Sequence, residues 1–318
     1  MTDALDVLRL FGGFVYLVLG GDLLVRGALG ISRRTSISPI IVGLTVVAFG
    51  TSAPELVISV YATATGFTGV ALGNVVGSNI ANILLVLGVP ALISPIVADK
   101  KSLGRHTELM VLISLIFVIM AFNGVLSRLD GTILLLLLIA LLAFVYQRRV
   151  AIPGMDIDDD NEQFERVLGL PNKVPSAIIF VVLGVILLPL GADLTVEGAT
   201  ALARRFSISE VVIGSTVVAL GTSLPELTTT VIAAFHRSSD IALGNVIGSN
   251  IFNILLVAGA SAVVAPLPVP SDFRNFDLWY MLAAAVLMLL FVWLRLPINR
   301  RAGVLLVAGY VAYVAYVI

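Results

Sequence analysis

The sequence predicts an all-α polytopic membrane protein: ten transmembrane helices arranged as two inverted five-helix repeats, with helices 2 and 7 broken. Three observations carry that prediction. Charged residues make up only 12% of the chain, against about 25% in soluble domains, and the mean hydropathy is +1.08. Apolar segments of spanning length fill nearly the whole sequence, and runs such as Ile133 to Val145 do not alternate as the strands of a membrane barrel would. Finally, the stretch from Gly43 to Leu56 returns from Gly214 to Leu227, with 171 positions between Glu55 and Glu226.

Taken in order, the predicted spans are 10–31, 38–64, 70–95, 107–123 and 130–147, then 175–202, 209–235, 241–265, 277–295 and 301–318. Met1 to Leu10 has no basic leader and no small-residue cleavage site follows, so the first span is expected to be retained. The one long hydrophilic connection divides the chain into a first repeat, 1–146, an acidic linker, 147–174, and a second repeat, 175–318. Within the linker, Asp156, Asp158 and Asp160 begin like a calcium-binding EF-hand loop. Its sixth position is Asn161 rather than Gly and its twelfth is Val167 rather than Glu, so a solvated linker is the better reading.

The repeat runs without a gap through the first three spans of each half. Asp22 matches Asp193, Gly27 matches Gly198, Arg34 matches Arg205, and Ala71 to Asn82 matches Ala242 to Asn253. Five spans per half is an odd number, so the second copy enters the membrane from the opposite side, as in many secondary transporters. Lys and Arg set the orientation. With the N-terminus outside, thirteen of them fall on the cytoplasmic side and five outside, Arg26 being within a span. Both termini are therefore expected outside a cell membrane and the central loop in the cytoplasm. Trp279, Tyr280 and Trp293 sit near the ends of the ninth span, where aromatic residues anchor helices at the interface.

Chemistry concentrates in the repeated stretch. Glu55 lies near the middle of a span, where an ionisable group costs about 2.5 kcal/mol or more. Ser52-Ala-Pro-Glu55 reads as a capping box with proline in the first turn, so one helix is expected to end near Gly50 and Thr51 and another to begin. Such a break exposes carbonyls, here near Ala48 to Gly50 and Ala219 to Gly221, and is tolerated where it lines a polar cavity. In the third and eighth spans Asn74, Ser78 and Asn82, and likewise Asn245, Ser249 and Asn253, recur every four residues on one helix face. The interleaved glycines, Gly73 and Gly77, Gly244 and Gly248, serve close helix packing.

The assembled inventory is oxygen only: carboxylates of Glu55 and Glu226, hydroxyls of Thr51, Ser52, Ser78, Thr222, Ser223 and Ser249, and amides of Asn82 and Asn253. Hard oxygen ligands suit Na⁺, Ca²⁺ or Mg²⁺ rather than zinc or copper. Two carboxylates balance one divalent or two monovalent ions, a physical basis for exchange. Asp22 and Asp193 are expected to pair with nearby arginines, the alternative being that they face an entry pathway, while the mismatch of Arg26 with Glu197 has no sequence-level account. The chain has no Cys, and its two His, His106 and His236, fall in predicted loops, which removes thiolate and most histidine metal sites. No His, Lys or Asp is placed to activate a serine, so an enzyme is not expected. Nothing resembles the filter ring of a channel.

The paired Gly-Thr-Ser-x-Pro-Glu-Leu motifs at 50–56 and 221–227, each followed by Gly-Asn-Val-x-Gly-Ser-Asn-Ile-x-Asn at 73–82 and 244–253, resemble the α-repeats of the Ca²⁺/cation antiporter superfamily. The likeness is closest to the prokaryotic sodium/calcium exchangers. It implies Na⁺ moving inward against Ca²⁺ moving outward, with Glu55 and Glu226 as shared ligands. Thr51, Ser52, Ser78, Thr222, Ser223 and Ser249 would complete the ion sites, with Asn82 and Asn253 beside them. Some members carry Asp where Asn253 stands, so this chain offers two acidic groups instead of three. Proton-coupled calcium exchange in the same fold is the alternative. The expected partners are Na⁺, Ca²⁺ and the bilayer, with no resident cofactor, no nucleic acid and a monomeric state.

Overall fold

The computed structural model describes residues 2–35, 37–96, 100–147, 169–206 and 219–317. Its helices are α1 (Thr2–Thr35), α2 (Pro39–Thr51), α3 (Ala53–Ala64), α4 (Thr68–Ile93), α5 (Lys100–Ala121) and α6 (Arg128–Gln147). They continue as α7 (Val174–Arg205), α8 (Ala219–Thr222), α9 (Leu224–Phe235), α10 (Ser239–Val264), α11 (Phe273–Trp293) and α12 (Arg300–Val317). Among the described residues eight helices are long and apolar enough to cross a membrane, and α2 with α3 makes a ninth, bent by 43°. The predicted seventh span is described from residue 219 onward, and most of the acidic linker lies outside the described residues. His106 is a correction: it falls inside α5, where Lys100, Lys101, Leu103, Arg105 and Glu108 extend the helix ahead of the apolar run.

α10 is buried along most of its length and α4 nearly so, whereas α1 and α7 turn most of their surface outward. The core forms around α4 and α10, joined by α5, α11 and part of α12. Small residues set these contacts. A Cβ on Gly244 would lie 2.7 Å from the Ile40 carbonyl, and one on Gly248 would run into that of Leu44, so α10 seats directly on the backbone of α2. The packing role expected of these two glycines is met. Gly73 and Gly77 meet nothing within 4 Å among the described residues.

α1 and α7 form a long antiparallel pair sealed by glycines at seven-residue spacing. Gly13, Gly20 and Gly27 on α1 face α7, and Gly184, Gly191 and Gly198 on α7 face α1. A Cβ would come within 3.0 Å of the opposite helix at each of the six. Spacing by seven keeps these residues on one face, and missing side chains let two backbones touch. The two sets are themselves 171 positions apart. At one end, Asp6 is bonded by Arg205 and lies 3.7 Å from Arg9, which in turn reaches Glu197 at 3.8 Å. Glu197, the symmetry mismatch, thus has a partner on the facing helix.

The halves also exchange equivalent contacts. Strand β1 (Val125–Leu126) pairs antiparallel with β2 (Leu267–Pro268), placing Leu126 opposite Leu267. Ile96 and Ile298 form a matching bridge through two 3.0 Å bonds. Ile96 and Leu267 follow the third span of their halves; Leu126 and Ile298 precede the fifth. Glycines repeat the pattern: a Cβ on Gly303 would sit 2.8 Å from the Gly88 carbonyl, and one on Gly131 2.6 Å from that of Gly259. Each half therefore donates its fifth helix to the third helix of the other.

Candidate cation site

Ser52 is the only residue between α2 and α3, at φ −84° and ψ 2°. Its N–H donates to the Ala48 carbonyl at 2.9 Å, and its carbonyl accepts from Leu56 at 3.2 Å. The helix is interrupted at this residue, as the sequence predicts. Two finer expectations are corrected. The Ala48 carbonyl is not freed, since it also accepts from the Thr51 hydroxyl at 3.3 Å. The capping box does not form either: Ser52 makes no side-chain cap bond, and Pro54, at the second helical position, offers no N–H to cap. Ser223 repeats the geometry at φ −90° and ψ 2°, with its N–H on the Leu220 carbonyl and Pro225 following.

What the missing cap releases is the carboxylate. Glu55 and Glu226 are each 1% exposed, and none of their four oxygens has a hydrogen-bond partner. Leaving ionised carboxylates in this condition costs several kcal/mol each. The two are close enough to repel one another, and Glu226 lies beside the hydroxyls of Thr51 and Ser52 without reaching bonding geometry. Among the described residues no third Asp, Glu or His joins them in a cluster that could hold a metal.

The remaining candidate ligands surround this pair. The Thr51 hydroxyl, fully buried, meets Asn245 Oδ1 and Ser249 Oγ, both at 3.2 Å and both from the other half. Ser78 donates to the Asn74 carbonyl at 2.6 Å and accepts from Asn253 Nδ2 at 2.9 Å, again across the halves. Ser52 Oγ, Asn253 Oδ1 and both polar atoms of Asn82 are buried without partners. Ser223 is buried at the start of α9, and Thr222 ends α8. Asn82 and Asn253 also open wide-turned π segments, Asn82–Val86 and Asn253–Ala258, a local geometry frequent at functional sites.

Asn74 and Asn245 hold the bends from behind. Asn74 Nδ2 donates to Ser59 Oγ at 2.9 Å and to the Glu55 carbonyl at 3.3 Å. Asn245 Nδ2 does the same with Thr230 Oγ1 at 3.1 Å and the Glu226 carbonyl at 3.5 Å. Ser59 and Thr230 escaped notice in the sequence, although a hydroxyl four residues after each glutamate was a legible signal. Asp22 pairs as expected, with Arg26 at 2.8 Å, and also with His236 at 2.9 Å. Asp193 does not: it is exposed and makes no ion pair among the described residues, because the position matching Arg26 is Glu197.

Buried carboxylates left unpaired at matching bends, with hydroxyls and amides about them, offer the oxygen donors that suit small hard cations, in a fold of membrane-length helices. The chain belongs to the sodium/calcium exchanger protein family, whose model matches residues 6–147 and 176–318. It is 39% identical over 308 residues to the putative antiporter CaxA of Alkalimonas amylolytica, covering 95% of each chain. It is 35% identical over 339 residues to the sodium/calcium exchanger MaX1 of Methanosarcina acetivorans, covering 97% of each. Among solved structures, the sodium-calcium exchanger NCX_Mj soaked without Na⁺ and Ca²⁺ superposes with a TM-score of 0.85 at 33% identity, over 99% of both chains.

Proposed function

We propose that this chain is a secondary antiporter that carries Na⁺ inward and Ca²⁺ outward by alternating access at a single mid-membrane site. Glu55 and Glu226 are the shared ligands, with Thr51, Ser52, Ser78, Asn82, Thr222, Ser223, Ser249 and Asn253 around them. The observation that carries this reading is the pair of buried carboxylates at matching bends, without partners, facing oxygen donors of both halves. Either load neutralises them; only one load fits at a time. The ten-span, inverted five-plus-five layout is supported by the exchanged contacts, Leu126 with Leu267 against Ile96 with Ile298. Termini outside, a cytoplasmic linker and a monomeric carrier complete the proposal.

The glycine-sealed pair α1 and α7 is the moving part, working against the core that holds the site. α1 lies along α9, with Gly21 against Thr228 and Ile232. α7 makes no comparable packing on α3, the equivalent element. The site is thus covered on the α9 side and uncovered on the α3 side, which the proposed topology makes the outside. Na⁺-driven ⁴⁵Ca²⁺ uptake into proteoliposomes tests the proposal: Glu55→Gln abolishes it, and undiminished uptake would sink the site.

A proton-coupled exchanger is the second reading, favoured by 28% identity over 271 residues to the Ca(2+)/H(+) antiporter ChaA of Bacillus subtilis, covering 79% of this chain and 76% of that one. Ca²⁺ flux under a pH gradient, with no requirement for Na⁺, would establish it.

A further inference from the structure

Asn74 and Asn245 occupy equivalent positions, yet their surroundings differ. Asn74 bonds within its own half, to Ser59 and the Glu55 carbonyl. Asn245 makes the same two bonds and a third: its Oδ1 accepts from the Thr51 hydroxyl of the other half, at 3.2 Å. Asn245, Thr51 and Thr230 are buried, whereas Asn74 is partly exposed.

A hydroxyl that ligates a cation must turn a lone pair toward the ion and its proton away. Thr51 has two neighbours able only to accept that proton, the Ala48 carbonyl at 3.3 Å and Asn245 Oδ1 at 3.2 Å. Which end of the Asn245 amide faces Thr51 is fixed from behind. The Glu226 carbonyl has lone pairs only, so it requires the amide nitrogen, and a flipped amide would set Oδ1 against that carbonyl. With Nδ2 committed to Glu226 and Thr230, Oδ1 is presented to Thr51. The chain Glu226 carbonyl, Asn245 amide, Thr51 hydroxyl therefore runs from the bend of one half to a ligand of the other.

We infer that Asn245 is a positioning residue that orients the Thr51 hydroxyl toward the transported cation and links it to the Glu226 bend. The inference rests on the site proposed above. Asn245 need not touch the ion. It holds the proton of one ligand out of the ion's way, and it reports any movement of the Glu226 backbone to the opposite half. Asn74 lacks this duty toward Thr51, so two residues alike in sequence contribute unequally.

The test is a double-mutant cycle on ⁴⁵Ca²⁺ binding to the purified full-length protein, read as the half-saturating Ca²⁺ concentration. Asn245→Ala and Thr51→Val each raise it, by about five-fold for one lost hydrogen bond. The double variant rises little beyond the larger single effect, since an absent hydroxyl cannot be misdirected. Thr230→Val, nearly isosteric, loosens Asn245 without contacting Thr51; its cycle with Thr51→Val is also non-additive, and it decides the matter should Asn245→Ala not fold. Ser59→Ala, which loosens Asn74, combines with Thr51→Val as the plain product. Cycles at Asn245 or Thr230 that equal the product of the single effects overturn the inference. Glu226→Gln is the reference: its full retention of binding would remove the site itself, whereas its loss of binding alongside additive cycles removes the role of Asn245 alone.

Discussion

Asp22 on α1 and His236 at the end of α9 meet at 2.9 Å, and Arg26 completes the contact at 2.8 Å from the same carboxylate. This joins the glycine-sealed pair to the helix that carries Glu226. The second half has no equal of it: Asp193 faces Glu197 on its own helix, and the position matching His236 is Thr65. The tie therefore favours the arrangement in which α1 covers α9. Its groups are partly exposed, so its worth is discounted to about 1 kcal/mol, roughly a five-fold shift in population. Asp22→Ala should uncover α9 by that factor. The chain has no cysteine, so a single Thr228→Cys, placed beneath Gly21 of α1, reports on it. Its reaction with an impermeant thiol reagent should quicken several-fold in the Asp22→Ala background, and an unchanged rate would show that the contact holds nothing shut.

The unpaired state of Glu55 and Glu226 gives a stability prediction with two parts. Without cations each carboxyl group is buried without a hydrogen-bond partner, so Glu226→Gln should raise the melting temperature in Ca²⁺-free, Na⁺-free buffer. The same variant should lose the protection that Ca²⁺ gives the unaltered protein, about 2.7 kcal/mol at a hundred times the dissociation constant. Thermal unfolding in detergent, with and without Ca²⁺, measures both. A variant that melts lower when empty, yet is still protected by Ca²⁺, would place the ion elsewhere.

The glycine seam between α1 and α7 predicts an intolerance at defined points. A Cβ on Gly191 would lie 2.7 Å from the Leu17 amide and 2.9 Å from the Gly13 carbonyl, both backbone atoms that cannot swing aside. Gly191→Val should therefore cost about 1–3 kcal/mol and force the pair apart. Gly12 has nothing within 4 Å of its Cβ position, and Gly12→Ala should change melting by no more than about 0.5 kcal/mol. Equal effects at the two glycines would mean that the helices are not in register as described.

Much of this was legible because a membrane leaves few alternatives. A charge in an apolar span needs a reason, and a second copy at a fixed offset supplies it; Glu55, Glu226 and the two asparagine-serine stripes follow from that alone. What sequence could not convey was local. Ser52 looks like a cap, but the same residues serve a bend in which its hydroxyl caps nothing and the side chains are left for a ligand. Asn74 and Asn245 read as equals because pattern carries no information on which half leans on which. Gly13, Gly20 and Gly27 with their three counterparts were present at heptad spacing, yet small residues in an apolar span do not say which helix they will meet.

Asn82 offers the sharpest separation of binding from folding. Both ends of its amide are buried and unpartnered, as is Asn253 Oδ1, while Asn253 Nδ2 is held by Ser78. An unsatisfied buried amide costs about 1–3 kcal/mol, and replacing it with an apolar group of similar shape recovers much of that. Asn82→Leu should then stabilise the cation-free protein while raising the half-saturating Ca²⁺ concentration. Asn253→Leu should weaken binding too, but without the gain in stability, since it also removes the bond that Asn253 Nδ2 makes to Ser78. Melting curves paired with ⁴⁵Ca²⁺ titrations of the two variants distinguish these outcomes. A destabilised Asn82→Leu with unaltered affinity would mean that its amide serves the fold and not the ion.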